Sequence, residues 1–263
     1  MIGIERKYLI TVHSRQDLSH RIGLIDEVRG FAILCMVVYH GVYDVIAIFS
    51  ADIPAFSSSW MNFIRDLFAF GFIFISGASS RFSHSNLKRG IICFGIGLGM
   101  TVVTWLFLPD QLIVFGILHC LGICMMLYPI CSRLLDKLPT FLGVSLLLLL
   151  FLLTKGIPEH AVGWPGLLSW PMPEAPYRLR WLFPIGFPSN GFYSSDYFPL
   201  IPWAFGFFLG SYFGRWLKNG NPPDWLKKTH VPPLAFIGRH TLLIYIIHQA
   251  VLYLTMSGIA LLF

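Results

Sequence analysis

The chain has 263 residues, of which 56% are hydrophobic, 16% aromatic and only 12% charged. A soluble domain carries about a quarter charged residues and less than half apolar ones, so a single water-surrounded core is excluded and a polytopic membrane protein is expected. The net charge of +6 comes from basic residues gathered in short connections, which is a topology signal and not a nucleic-acid surface.

Residues 1–27 read as a cytoplasmic N-terminal segment carrying Arg6, Lys7, Arg15 and Arg21, and residues 28–263 as a single multi-span membrane domain. The first apolar run is long enough to cross, so a retained first helix is expected and a cleavable signal peptide is not. Spans are read over 28–49, 60–79, 89–108, 111–130, 139–155, 198–216 and 234–258, each close to the ~20 residues a crossing helix needs. The expected fold is therefore an all-α integral membrane protein with about seven transmembrane helices. Arg81, Lys88, Arg89, Arg133, Lys137, Arg215, Lys218, Lys227 and Lys228 fall in the connections on the same side as the basic tail. By the positive-inside rule the N-terminus is cytoplasmic and the C-terminus outside, in an inner (plasma) membrane.

The long outer loop, about 156–197, is dense in Pro, Trp, Gly and Tyr. Its prolines exclude a long regular helix, and its aromatics suit either an interfacial cap or a substrate vestibule. Gly206, Gly210 and Gly214 recur every four residues, a close-contact face for a neighbouring helix or a homodimer partner, and Gly95 and Gly99 are read the same way. Cys35, Cys93, Cys120, Cys124 and Cys131 all lie in or beside apolar spans. No His or carboxylate pattern completes a metal site around them, so no metal is expected.

Ionisable groups at membrane depth are the functional candidates, because each costs at least a few kcal/mol there. The first span holds Arg29, His40 and Asp44. Eleven residues separate Arg29 from His40, three turns plus about 20°, so they share one helix face roughly 16 Å apart along the axis. Asp26 lies three residues before Arg29 and is its natural neighbour. Asp44, one turn beyond His40, is placed to orient the imidazole as a general base. Arg65 and Asp66 in the second span form either a structural ion pair or part of an acceptor site. His119 in the fourth span is either helix-bridging glue or a third histidine of the site. His248, beside Gln249 in the last span, lies near mid-depth. Arg239 and His240 enter that span from the side of Arg29 and, with Arg81, are candidates for a mouth that binds phosphates.

Four segments in order carry a family resemblance. RIGLIDEVRGFAILCMVVYH (Arg21–His40), FGILHCLGI (Phe115–Ile123), DYFPLIPWAFGFFLG (Asp196–Gly210) and IGRHTLLIYIIHQ (Ile237–Gln249) resemble signatures of the heparan-alpha-glucosaminide N-acetyltransferase catalytic-domain family. The spacing of Arg29 and His40 is also similar to the Arg–His signature of type-3 membrane acyltransferases. The resemblance implies acetyl transfer from cytoplasmic acetyl-CoA to an amine or hydroxyl of an envelope sugar on the far side, within a membrane of lipid.

By that resemblance His40 is the catalytic histidine and Arg29 lies on the side of the donor. From their positions in the spans, Asp44, His119 and His248 are expected around His40, Arg81, Arg239 and His240 beside Arg29 at the donor's phosphates, and Asp196, Arg65 and Asp66 toward the acceptor. In the animal lysosomal members the histidine thought to be acetylated lies in the loop after the corresponding span. The loop Ser50–Trp60 has no histidine here, which points to direct attack by a deprotonated acceptor. The chain is also shorter than those enzymes, so a heparan substrate is not assumed. A proton-coupled small-molecule transporter using the intramembrane His and Asp is the alternative, against which no inverted repeat relates the halves. A non-enzymatic scaffold is a third reading that leaves the buried titratable groups without purpose.

Overall fold

The computed structural model describes residues 22–261, and the basic tail residues Arg6, Lys7, Arg15 and Arg21 lie outside them. The described residues are mostly helical. Six helices are long and apolar enough to cross a membrane: α1 (Gly23–Phe49), α2 (Ser59–Ser80), α3 (Asn86–Phe107), α4 (Ile117–Leu135), α5 (Thr140–Thr154, continued by a 3₁₀ turn) and α9 (Thr241–Ala260). The chain is a multi-pass membrane protein.

One expected span is present as a helix of lower hydropathy, and another is corrected. The helix α6 (Leu200–Asn219) matches the expected span 198–216, yet it is not among the six apolar ones. It is polar for a span because glycine, serine and aromatic residues suit its place against α2, α4 and α5, where Trp203, Phe207, Ser211 and Tyr212 are buried. The expected span 234–258 is two helices: α8 (Pro232–Arg239) ends and α9 begins around His240. His240 has non-helical dihedrals (φ −110°, ψ 16°), and its Nδ1–H donates to the Phe236 carbonyl at 2.8 Å, closing the end of α8.

Contacts divide the described residues into two compact units, the first made of those up to 53 and from 221 on, the second of residues 54–220. In the first unit α1 packs on α8 and α9, with the short helix α7 (Asp224–Lys227) also against α1. Glycine sets the α1–α8 crossing. A Cβ on Gly30 would lie 2.0 Å from the Leu234 carbonyl oxygen, and one on Gly238 would lie 1.7 Å from that of Asp26, so backbone meets backbone and no larger residue fits. The buried Glu27 accepts hydrogen bonds from the backbone N–H groups of His230 and Val231, the latter at 2.8 Å. Its carboxylate thereby serves the orphan donors at the start of α8 and meets the positive end of that helix.

In the second unit α2 and α6 interlock in the same way. Cβ atoms on Gly210 and Gly214 would fall 1.9 and 2.3 Å from the carbonyls of Phe74 and Ala78, and one on Gly77 would fall 1.8 Å from that of Phe207. The expected small-residue face is therefore spent on an internal contact. Gly95 and Gly99 have nothing within 4 Å of a Cβ position. The close contact of α3 with α4 runs instead through Gly90, packed on Gly122, and Gly97, packed on the His119 ring. Serine side chains start two of the helices: Ser58 Oγ accepts from Met61 N and Ser85 Oγ from Lys88 N.

The loop between α5 and α6 contains strand, which an all-α expectation omits. Strands β1 (Ala161–Trp164) and β2 (Leu168–Pro171) form an antiparallel hairpin pairing Ala161 with Pro171 and Trp164 with Leu168. Tyrosine hydroxyls fasten the rest: Tyr177 donates to the Ile157 carbonyl at 2.6 Å, Tyr193 to Asp110 at 2.9 Å and Tyr197 to Phe183 at 2.5 Å. The His160 ring lies flat on Tyr177, centroids 3.7 Å apart.

Candidate active site

The first unit brings together polar residues from α1 and α9 at two successive levels. At the first, the imidazoles of His40 and His248 face each other with centroids 5.2 Å apart and planes at 59°. At the second, one turn further along α1, Gln249 Nε2 donates to both oxygens of Asp44 at 2.9 and 3.1 Å. Asp44 is only 3% exposed, and a buried carboxylate needs such a donor. Gly41, between the levels, faces α9: its Cβ position is 3.7 Å from the Leu252 side chain, an ordinary contact.

This alters the expected role of Asp44. Its hydrogen-bond partner is Gln249 on the facing helix, and among the described residues no hydrogen bond joins it to His40. A carboxylate at i+4 competes with whatever donor the next helix presents, and here the amide of Gln249 meets both of its oxygens. The His40 ring turns instead toward His248 and also meets the edge of Tyr39, with centroids 5.8 Å apart.

The tautomer of His248 follows from its surroundings. Its Nδ1 lies 2.7 Å from the Tyr245 carbonyl. A carbonyl only accepts, so Nδ1 carries the proton and the neutral ring has its lone pair on Nε2. That nitrogen has the character a general base needs.

Among the expected donor-binding residues, Arg29 pairs with Asp26 at 2.9 Å. Gly30 and Gly238 sit in the crossing of α1 with α8, which brings Arg29 and Arg239 to that crossing. Arg239 is exposed and donates through Nε to the Ala235 carbonyl at 3.0 Å, and His240 is exposed beside it.

The remaining expected residues belong to the second unit, and each has a structural partner there. Arg81 holds Asp136 through two hydrogen bonds of 2.7 and 2.6 Å and also donates to Ser211, so its guanidinium is already committed to a carboxylate. That contact keeps the Asp136 carboxyl below its usual range, with Arg215 adding to the effect. Asp66 joins Arg65 at 2.9 Å to Lys155 at 2.8 Å, and the Lys155 ammonium also lies over the Trp203 ring, 5.5 Å from its centroid.

His119 Nδ1 accepts from Gly116 N at 3.1 Å, at the start of α4, while Nε2 is 3.4 Å from Thr101 Oγ1 and the ring stacks on Phe115. It caps one helix and bridges to another. Asp196 Oδ2 accepts from Ile117 N at 3.2 Å, so a loop carboxylate serves the same helix N-terminus.

Sequence reasoning left Glu27 and Asp136 without a role and gave Gln249 only a place beside His248. The adjacent acids Asp26 and Glu27 at the mouth of an apolar run were a readable signal for Glu27. Nothing in the linear chain pairs Asp136 with Arg81.

The fold and this cluster define a class, a multi-pass helical membrane protein with a polar pair of contacts between two of its spans. Residues 21–250 match the family model described as heparan-alpha-glucosaminide N-acetyltransferase, catalytic. The chain belongs to that family, and its membership indicates a membrane acetyltransferase. Neither the curated proteins nor the solved structures gave a match.

Proposed function

We propose that the protein moves an acetyl group from acetyl-CoA to an amine or hydroxyl of an envelope sugar, using the His40–His248 pair. The observation that carries this reading is the contact of two imidazoles from different spans, 5.2 Å between centroids, in a chain of an acetyltransferase family. One imidazole accepts the proton of the attacking N–H or O–H as the nucleophile bonds to the thioester carbonyl carbon. The tetrahedral intermediate collapses with cleavage of the carbon–sulfur bond, and the imidazolium returns the proton to the departing thiolate. The neighbouring imidazole stays neutral and polar through the step, in a place where water would otherwise have to enter.

In this reading the donor arrives from the cytoplasm, with its phosphates near Arg239, His240 and Arg29. Arg239 and His240 are the more available of the three, because both are exposed, whereas Arg29 already holds Asp26. The sugar arrives from the outer face of a plasma membrane. Arg81, Arg65, Asp66, Asp196 and His119 are reassigned to holding the second unit together, since each is engaged there.

The test is acetyl-CoA turnover by purified, folded protein with glucosamine as the trial acceptor. His40→Ala and His248→Ala are each expected to lose the activity. Turnover at the wild-type rate in either variant would sink the assignment.

A further inference from the structure

The amide of Gln249 has two ends, and only one is explained by the contact with Asp44. Nε2 donates to both carboxylate oxygens, which fixes which way the amide faces: a carboxylate accepts and would repel Oε1. Oε1 is thereby turned away from Asp44. It is shielded from solvent and has no hydrogen-bond partner among the described residues. A buried amide oxygen without a donor is costly, and an apolar side chain at the same position would avoid that cost. Through its contact with Asp44 the Gln249 amide is held one turn of α1 beyond His40, at the level next to the His40–His248 contact.

We propose that Gln249 Oε1 is a ligand-binding group: it accepts a hydrogen bond from an N–H or O–H of the reacting substrates, with Asp44 as the residue that aims it. The inference rests on the acetyltransferase reading for the identity of those substrates. Two groups have the required chemistry, the amine or hydroxyl of the sugar and the amide N–H groups of the pantetheine arm of acetyl-CoA. Either one, held by a fixed acceptor beside the histidines, loses less freedom on reaching the attacking geometry. A site built this way rejects an analogue lacking the donor, because Oε1 is then left unpaired.

The experiment measures binding of acetyl-CoA and of glucosamine to protein in lipid nanodiscs, in a His40→Ala background so that no turnover intrudes. Asp44→Leu with Gln249→Met removes both polar partners at once and leaves no buried charge, which protects the fold; thermal unfolding checks it. At least a tenfold weakening is expected for one ligand. Loss for glucosamine alone assigns the sugar's donor group, and loss for acetyl-CoA alone assigns the pantetheine amides.

Asp44→Asn is the second variant. The introduced amide can donate to Oε1 once the Gln249 side chain turns over, so binding of the same ligand is expected to weaken severalfold with the fold unchanged. Wild-type affinity for both ligands in both variants overturns the proposal. If His40→Ala keeps full turnover while these variants lose affinity, the histidine mechanism fails and the Gln249 site stands.

Discussion

Both compact units tie down most of their ionisable residues, and they differ in what is left at the histidines and at Gln249. In the second, each candidate is absorbed by a structural bond: Arg81 by Asp136 and Ser211, Asp66 by Arg65 and Lys155, His119 by Gly116 N, and Asp196 by Ile117 N. In the first, polar side chains meet across α1 and α9 and still have chemistry to offer. His248 has a defined basic nitrogen, and the far end of the Gln249 amide is not consumed by the contact that orients it. A titratable group at membrane depth is thus a weak sign of function until its partner is known. One used up by a cap or an ion pair has already lowered the cost that made it conspicuous.

The sharpest way to break this contrast is to compare histidines. His40→Ala and His248→Ala are each expected to lower acetyl-CoA turnover at least about 100-fold, the low end of what general acid–base catalysis contributes. His119→Ala is expected to lower the thermal unfolding temperature while leaving turnover of the folded fraction within severalfold. The contrast fails if His119→Ala behaves like His40→Ala in an undisturbed fold.

Packing offers the next effect. Leucine at Gly210 or at Gly238 must displace a backbone carbonyl that now sits within 2 Å of the Cβ position. A loss of at least about 1–3 kcal/mol is expected at either site, read as a drop in unfolding temperature. A variant as stable as the wild type would mean that the helix contact is looser than described.

Arg81→Ala should follow at about 2 kcal/mol, the scale of hydrogen bonds to charged groups. It removes two short bonds from a partly exposed carboxylate and leaves it the more distant Arg215, at 3.5 Å. Arg81→Lys is expected to recover only part of the loss, since an ammonium cannot span both oxygens. Full recovery would show a simple charge effect.

The smallest effect is one of pH. Asp136 titrates below its unfolded value because the Arg81 guanidinium binds its ionised form. Its stabilisation is therefore complete above the unfolded carboxylate pKa, about 3.9, and is lost as pH falls below that toward the folded value. Asp136→Asn should be less stable than wild type at neutral pH and flatten the acid limb of a stability profile. An unchanged limb would place the acid sensitivity elsewhere.

Much of the membrane architecture was legible from composition and run length, since lipid demands continuous apolar helices and leaves a plain record of them. The exceptions are instructive. α6 reads as a span by position, but its glycines and its one serine reflect neighbours on several sides. The break around His240 falls at the short polar stretch Gly238-Arg239-His240-Thr241, which was read as part of one span; the dihedrals and the cap on Phe236 make it a helix boundary. Gly95 and Gly99 had the right spacing and no partner, while Gly90 and Gly97 had partners. Spacing says which residues share a face; it does not say what stands opposite.

The same division applies to the candidate site. Helix periodicity alone put Arg29 and His40 on one face and Asp26 within reach of Arg29, because those relations are local to one helix. The order of four separated motifs pointed to the family that the match over residues 21–250 establishes. Only the tertiary structure could decide that His40 meets His248, that Asp44 binds Gln249 instead of the imidazole one turn away, and that Arg81 is claimed by Asp136. Each of those choices depends on which donor a distant helix presents at contact range, and hydrogen-bond energies fall away within an ångström of that distance.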